Sequence, residues 1–103
     1  DENFWPDLMA GKVEIEGRLV SAYRFTEDWD GWERHPQGEE VLCLLDGEAD
    51  VVFELAGAEE RRRLDRDNRC FLVPQGAWHR FVVPEYAYVL FVTPGEGTEH
   101  RPL

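Results

Sequence analysis

The sequence predicts an all-β domain, a sandwich or barrel, on three observations. Short apolar or β-branched runs recur along the chain, turn residues punctuate them every 8–12 residues or so, and no longer apolar stretch keeps the 3.6-residue period of an amphipathic helix. In order, the runs are Lys12–Ile15, Leu19–Phe25, Glu40–Leu45, Ala49–Leu55, Arg69–Val73, Trp78–Val83 and Ala87–Thr93. Glu16-Gly17, Asp30-Gly31, Pro36-Gln37-Gly38, Asp46-Gly47, Ala56-Gly57, Asp67-Asn68, Pro74-Gln75-Gly76 and Pro84-Glu85 separate them. The strongest hairpin signal is Val41–Phe53, where Asp46-Gly47 supplies the positive φ angles of a tight turn. Val41–Leu45 is continuously apolar, which calls for cover on both faces, from a stacked sheet or a neighbouring subunit. Pro74-Gln75-Gly76 reads as a reverse turn with Val73 first, proline second and glycine fourth. Arg61-Arg62-Arg63 after Glu59-Glu60 reads as an exposed, self-compensating strand edge that resists pairing with another chain. Only Asn3–Gly11 has room for a short N-terminal helical turn, with Phe4, Trp5 and Leu8 on its apolar side.

The chain has 103 residues, enough for one domain and one core. Residues 1–16 read as an N-terminal arm that packs on the barrel or a partner, and residues 17–103 as the barrel itself. Hydrophobic residues make up 43% of the sequence, a globular composition, while 11 basic against 22 acidic side chains leave a formal charge of −11. Such a balance provides no basic face for nucleic acid or for an anionic membrane surface. No apolar run approaches the roughly 20 residues of a bilayer span. No basic-then-apolar leader follows Asp1, so a soluble cytoplasmic domain is expected. Cys43 and Cys70 are too few for a disulfide scaffold; in apolar strands they read as buried free thiols acting as small hydrophobes.

The chemistry concentrates on two histidines. Residues two apart on a strand share a face, so Glu33 and His35 point the same way. If Glu40 faces that side, so do Leu42 and Leu44, while Val41, Cys43 and Leu45 turn away. The turn Pro36–Glu39 lets His35 and Glu40 sit on adjoining strand ends, and His79 shares its face with Phe81 and Val83. Two imidazoles and a carboxylate, with Glu33 as a second carboxylate, suit a divalent transition ion and leave coordination positions open. The alternative is a pair of barrel-interior histidines that hydrogen-bond without metal. A buried Glu40 beside Leu42 and Leu44 needs a partner, and a cation is one.

At these residues the chain resembles the cupins, small jelly-roll barrels. Pro74-Gln75-Gly76-Ala77-Trp78-His79 fits the family's second motif, Pro-x-Gly-x-x-His. In the first motif His35 takes the second histidine position, Glu40 the glutamate and Gly47 the glycine, whereas Glu33 stands where the family has its first histidine. Glu27, Asn68 and Val83 are further departures. The resemblance runs from about Gly17 to Pro102 and is similar to small single-domain bacterial cupins. It implies a double-stranded β-helix whose cavity is lined by Tyr23, Phe25, Glu33, His35, Glu40, Leu42, Phe81 and Val83. It implies a metal ion of the Fe, Mn, Ni or Zn class held by His35, Glu40 and His79. Glu33 is either a fourth ligand, a hydrogen-bond acceptor for His35, or a solvated side chain. It also implies a homodimer through edge strands that covers the outer face of Val41, Cys43 and Leu45, and a small-molecule ligand. The function is then a metal-dependent enzyme of dioxygenase or isomerase/lyase type, or alternatively a non-catalytic binding or sensor module using the same cavity. Trp29, Trp32 and Trp78 read as core or interface residues, and His100 and Arg101 as a surface tail.

Overall fold

The computed structural model describes residues 12–15, 17–94 and 96–103. Ten strands run through them: β1 Lys12–Ile15, β2 Arg18–Phe25, β3 Gly31–Arg34, β4 Glu40–Gly47, β5 Ala49–Leu55, β6 Ala58–Leu64, β7 Cys70–Val73, β8 His79–Val82, β9 Ala87–Pro94 and β10 Glu99–Pro102. They form two five-stranded sheets, ordered β1-β2-β9-β4-β7 and β10-β3-β8-β5-β6, with antiparallel neighbours throughout. No helix occurs among the described residues, and the helical turn expected over Asn3–Gly11 lies outside them.

Period-two patterning explains the layering. On β4, Glu40, Leu42 and Leu44 are buried while Val41 and Cys43 are only partly so and Leu45 is exposed, as the alternation requires. Leu42 and Leu44 meet Val51, Phe53, Leu64, Phe81, Val89 and Phe91 in one core between the sheets. Each such side chain contributes roughly 1.5–3 kcal/mol on burial. On β5 Val52 is also fully buried, although its face points out of the sandwich; its cross-strand neighbours are Arg61 and Arg80, whose aliphatic stems can cover it. β6 is the edge of its sheet and exposed except at Leu64, with Arg61 paired to Asp50 and Arg63 to Glu48 and Asp50.

Two turn assignments need correction. Asp46-Gly47 does not close a hairpin, because β4 and β5 lie in opposite sheets. The ladder between β4 and β9 is broken between Leu44 and Asp46, and Gly47 has φ +80°. A Cβ at Gly47 would collide with the Tyr86 carbonyl oxygen, so glycine is required by this close approach. The chain thereby crosses between layers and sets Leu42 and Leu44 against Val51 and Phe53, which one hairpin in one sheet could not do. The turn after β7 starts one residue later than expected: Ala77 N–H donates to Pro74 O at 3.1 Å, putting Gly76 third, at φ +73°.

A two-residue hairpin is found instead at β5–β6, where Leu55 and Ala58 are partners and both Ala56 (φ 51°) and Gly57 (φ 81°) are left-handed. Ala56 is the only non-glycine residue in that region among the described residues. Ala56→Gly is expected to raise stability by about 0.5–1 kcal/mol in urea unfolding, because left-handed backbone costs alanine of that order. A loss of stability would mean that the alanine methyl makes a compensating contact.

Candidate metal centre

Three neighbouring strands and one turn bring the candidate ligands together. β10, β3 and β8 place His100, Glu33 and His79 in one lateral row, since Glu33 is the register partner of both histidines. His35 follows β3 directly. Its carbonyl accepts from Gly76 N–H at 3.0 Å, and Gln75 Nε2 donates to the Pro36 carbonyl at 2.7 Å, so the turn before β8 is tied to the segment carrying His35. Glu40 opens β4 on the facing sheet. All four sequence-predicted residues therefore meet: His35, Glu40 and His79 are buried at 4%, 2% and 0% exposure, and Glu33 is half-buried at the cavity wall.

Glu40 lies between the two imidazoles. Its Oε2 is 3.1 Å from His35 Nε2 and its Oε1 is 3.0 Å from His79 Nε2. Neither contact has hydrogen-bond alignment, so His35 Nε2, His79 Nε2 and Glu40 Oε1 are buried without hydrogen-bond partners. The outer atoms are all engaged. His79 Nδ1 bonds the Ala77 carbonyl at 3.1 Å, His35 Nδ1 bonds Thr98 Oγ1 at 3.0 Å, and Thr93 Oγ1 donates to Glu40 Oε2 at 2.5 Å. A carbonyl only accepts, so His79 Nδ1 carries the hydrogen and a neutral ring turns its Nε2 lone pair toward a carboxylate oxygen. Two electron-rich atoms at 3.0 Å need a cation or a proton between them. Donors about 2.1 Å from one ion and at right angles to each other stand about 3.0 Å apart, which is the spacing seen. Ligand atoms of Glu33, His35 and His79 also lie within 4.8 Å of one another. The donor set fits a divalent transition ion.

Without metal, a proton plays the cation's part. Burial pushes the Glu40 carboxyl up, but its contacts with His35 and His79 outweigh this and bring it from 4.5 down to about 2. Burial pushes His79 down, but Glu40, the Ala77 carbonyl and the Glu33 charge raise it above its ordinary 6.5. A lowered carboxylate stabilises the fold fully above its unfolded value and loses that contribution as pH falls. A raised histidine contributes fully below 6.5 and loses its contribution as pH rises through the folded value. Metal-free protein in chelator is therefore expected to show its greatest urea resistance from this pair between about pH 4.5 and 6.5. Glu40→Gln should flatten both limbs, and limbs of unchanged steepness would contradict the pairing.

A cavity of about 380 Å³ opens beside these residues, lined by Leu19, Ser21, Tyr23, Phe25, Trp29, Glu33, His35, Phe91, Thr93 and Thr98. The expected lining is only partly correct. Glu40, Leu42, Phe81 and Val83 do not line the opening: Glu40 is buried between the two imidazoles, and the other three are packed in the core. Phe81 stacks on Phe25 at 5.9 Å and meets Trp29 edge-on at 5.0 Å. Leu19, Ser21, Trp29, Phe91, Thr93 and Thr98 are the lining residues that sequence reasoning missed. Trp29 is held by its own N–H donating to the Phe81 carbonyl at 3.0 Å. The expected surface tail is a strand: Arg101 pairs with both carboxylate oxygens of Glu54 and stacks against Trp32 and Trp78. His100 is exposed, with Nδ1 3.7 Å from Glu33 Oε1.

In sequence the chain matches no family model and no curated protein. In structure it is similar to a cupin-2 domain protein from Shewanella frigidimarina, with a TM-score of 0.65 and 16% identity over 80% of this chain and 74% of that one. It is similar to an oxalate oxidase solved with the substrate analogue glycolate, with a TM-score of 0.66 and 20% identity, covering 81% of this chain and 45% of the oxidase. A hydroquinone 1,2-dioxygenase in complex with Cd2+ and 4-hydroxybenzonitrile superposes with a TM-score of 0.64 and 17% identity over 82% of this chain and 61% of the dioxygenase. The chain thus spans less than two thirds of either enzyme. At these identities the likeness is one of fold: the two sheets form a small cupin-type jelly roll.

Proposed function

We propose that the barrel holds one divalent transition-metal ion through His35, Glu40 and His79, with Glu33 as a fourth donor, and acts as a metal-dependent enzyme on a small organic molecule. The observations that carry this reading are the buried atoms His35 Nε2, His79 Nε2 and Glu40 Oε1, which lack hydrogen-bond partners, with one Glu40 oxygen 3.1 Å from the first ring nitrogen and the other 3.0 Å from the second, and the grouping of Glu33, His35 and His79 ligand atoms within 4.8 Å. Mixed imidazole and carboxylate donors suit Fe, Mn, Ni or Zn. Bound there, such an ion supplies Lewis acidity toward a substrate oxygen or a site for dioxygen. The residues around it do the rest. The Ala77 carbonyl and Thr98 fix the two rings, and Thr93 holds one oxygen of Glu40. Tyr23, Phe25, Trp29 and Phe91 give the cavity apolar walls that exclude water and accept a flat ligand. Among the described residues, no lysine or arginine lines it. That favours a ligand with one metal-seeking oxygen on an apolar body, a phenol for example, over a dicarboxylate that needs a second cationic anchor. Either a dioxygenase or an isomerase/lyase reaction is compatible with this site.

Metal analysis of protein purified without chelator tests the reading. Wild type is expected to carry close to one ion per chain and His79→Ala almost none; little metal in both, with equal melting temperatures, would remove it. Affinity is expected to fall as pH drops toward and below 6.5, because a ligating imidazole must be neutral and His79 holds its proton to higher pH than an ordinary imidazole. Glu33→Gln is expected to weaken binding about tenfold. An unchanged dissociation constant would take Glu33 out of the donor set and leave it as a proton acceptor for the ligand. A non-catalytic binding or sensor module remains the second reading, favoured by Glu33 standing at the position where the cupin motif has a histidine. Full metal and ligand binding with no turnover across a panel of phenols would select it. The apolar outer surface of Val41, Leu45 and Leu72 supports a homodimer, which light scattering would report as twice the chain mass.

A further inference from the structure

The two cysteines are not the buried hydrophobes that their apolar strands suggest. Both point out of the barrel: Cys70 is exposed and Cys43 half-buried, and their Sγ atoms stand 2.8 Å apart. Alternation on β4 puts Cys43 on the face opposite Glu40 and Leu42, so the pair is separate from the metal centre. Cys43 and Cys70 are register partners on antiparallel strands. The ladder bond beside them runs from Leu44 N–H to the Arg69 carbonyl at 2.7 Å. A bond between the residue after Cys43 and the residue before Cys70 marks the pair as a non-hydrogen-bonded one, the site type at which facing Cα atoms approach to about 4.5 Å. That falls inside the range of about 4.4–6.8 Å spanned by disulfides. β7 is an edge strand of its sheet, so Cys70 is open to small solutes in the single chain, and a dimer built on Val41, Leu45 and Leu72 would cover it.

We propose that Cys43 and Cys70 are a redox-active dithiol, closed by a low-molecular-weight disulfide into an intrachain cross-strand disulfide that joins β4 to β7. Cys70, the more exposed sulfur, attacks one sulfur of the small disulfide as its thiolate, forming a mixed disulfide and releasing one small thiolate, which takes up the proton Cys70 gave. Cys43, already at contact distance, then attacks the Cys70 sulfur and expels the second small thiolate, which receives the Cys43 proton. Two protein thiols become one disulfide, and one small disulfide is reduced to two small thiols. The Arg69 guanidinium, held over this end of the strand pair by bonds to the Leu44 and Leu45 carbonyls, places positive charge near Cys43, but the contact with Cys70 and burial outweigh it and push that thiol up. An exposed cross-strand bond of this kind is readily reduced again.

Equilibrating the whole chain with mixtures of reduced and oxidised glutathione, then trapping thiols with an alkylating agent and measuring intact mass, tests this. The expected result is a single transition in which both alkylation sites vanish together and the chain loses two hydrogens, with peptide mapping linking residue 43 to residue 70. Cys43→Ser is expected to stop at a stable mixed disulfide with glutathione on Cys70, because the resolving sulfur is gone. Reduction should restore both thiols of the wild type. Thiols that stay alkylatable at every ratio would overturn the proposal. So would a wild-type product that is a glutathione adduct or a covalent dimer.

Discussion

Glu40→Ala is expected to cost the protein its metal affinity by more than the roughly 10–100-fold that loss of a supporting residue causes. The carboxylate contacts both buried imidazole Nε2 atoms, at 3.1 and 3.0 Å, and it is itself 2% exposed. The metal-free variant should still fold, because His79 can shed its proton once the counter-charge is gone. Calorimetric titration with Mn(II) or Zn(II) separates the two readings of this trio. If Glu40 serves only to balance an imidazolium, its removal leaves metal affinity near that of wild type.

Phe81→Ala is expected to destabilise the domain by about 3–5 kcal/mol, a large part of the total for a domain of this size. Phe81 is fully buried, opposite Val51 on the neighbouring strand. Its ring meets Phe25, Trp29 and Phe91 at 5.0 to 5.9 Å, and the last three of these rings form cavity wall. The residue two positions before it on β8 is His79, so collapse here also moves a candidate ligand. Urea unfolding of the metal-free variant measures the cost. A change below about 1 kcal/mol would show that the aromatic cluster repacks without it and is no fixed floor to the cavity.

The convergence of the candidate residues was legible because motif spacing and strand alternation agree: Glu33 with His35, Glu40 with Leu42 and Leu44, and His79 after the Pro74 turn. Of the polar strands, β6 was legible as a charged edge, but two others were not. Gly31–Arg34 and Glu99–Pro102 lack apolar runs, since ion pairs and stacked guanidinium groups hold their outer surface rather than aliphatic packing. Arg34 pairs with Glu99 and stacks on Trp78, Arg80 stacks on Trp32, and Arg101 bridges both tryptophans to Glu54. Alternating tryptophan and arginine was the available signal. Asp46-Gly47 misled because local turn chemistry is the same whether the chain doubles back within a sheet or bends across to the other one. Trp29 and Thr98 reach the cavity from segments outside the strands, where no periodicity points a side chain inward. Alternation did turn Cys43 outward, but only the β4–β7 register reveals that Cys70 faces it.

X-ray absorption at the metal edge, on protein loaded with one equivalent of Zn(II), asks most directly whether the two imidazoles and the buried carboxylate share an ion. Two histidine nitrogens in the coordination shell, falling to one in His35→Ala and one in His79→Ala, is the predicted result. An oxygen-only shell that neither substitution alters would contradict it.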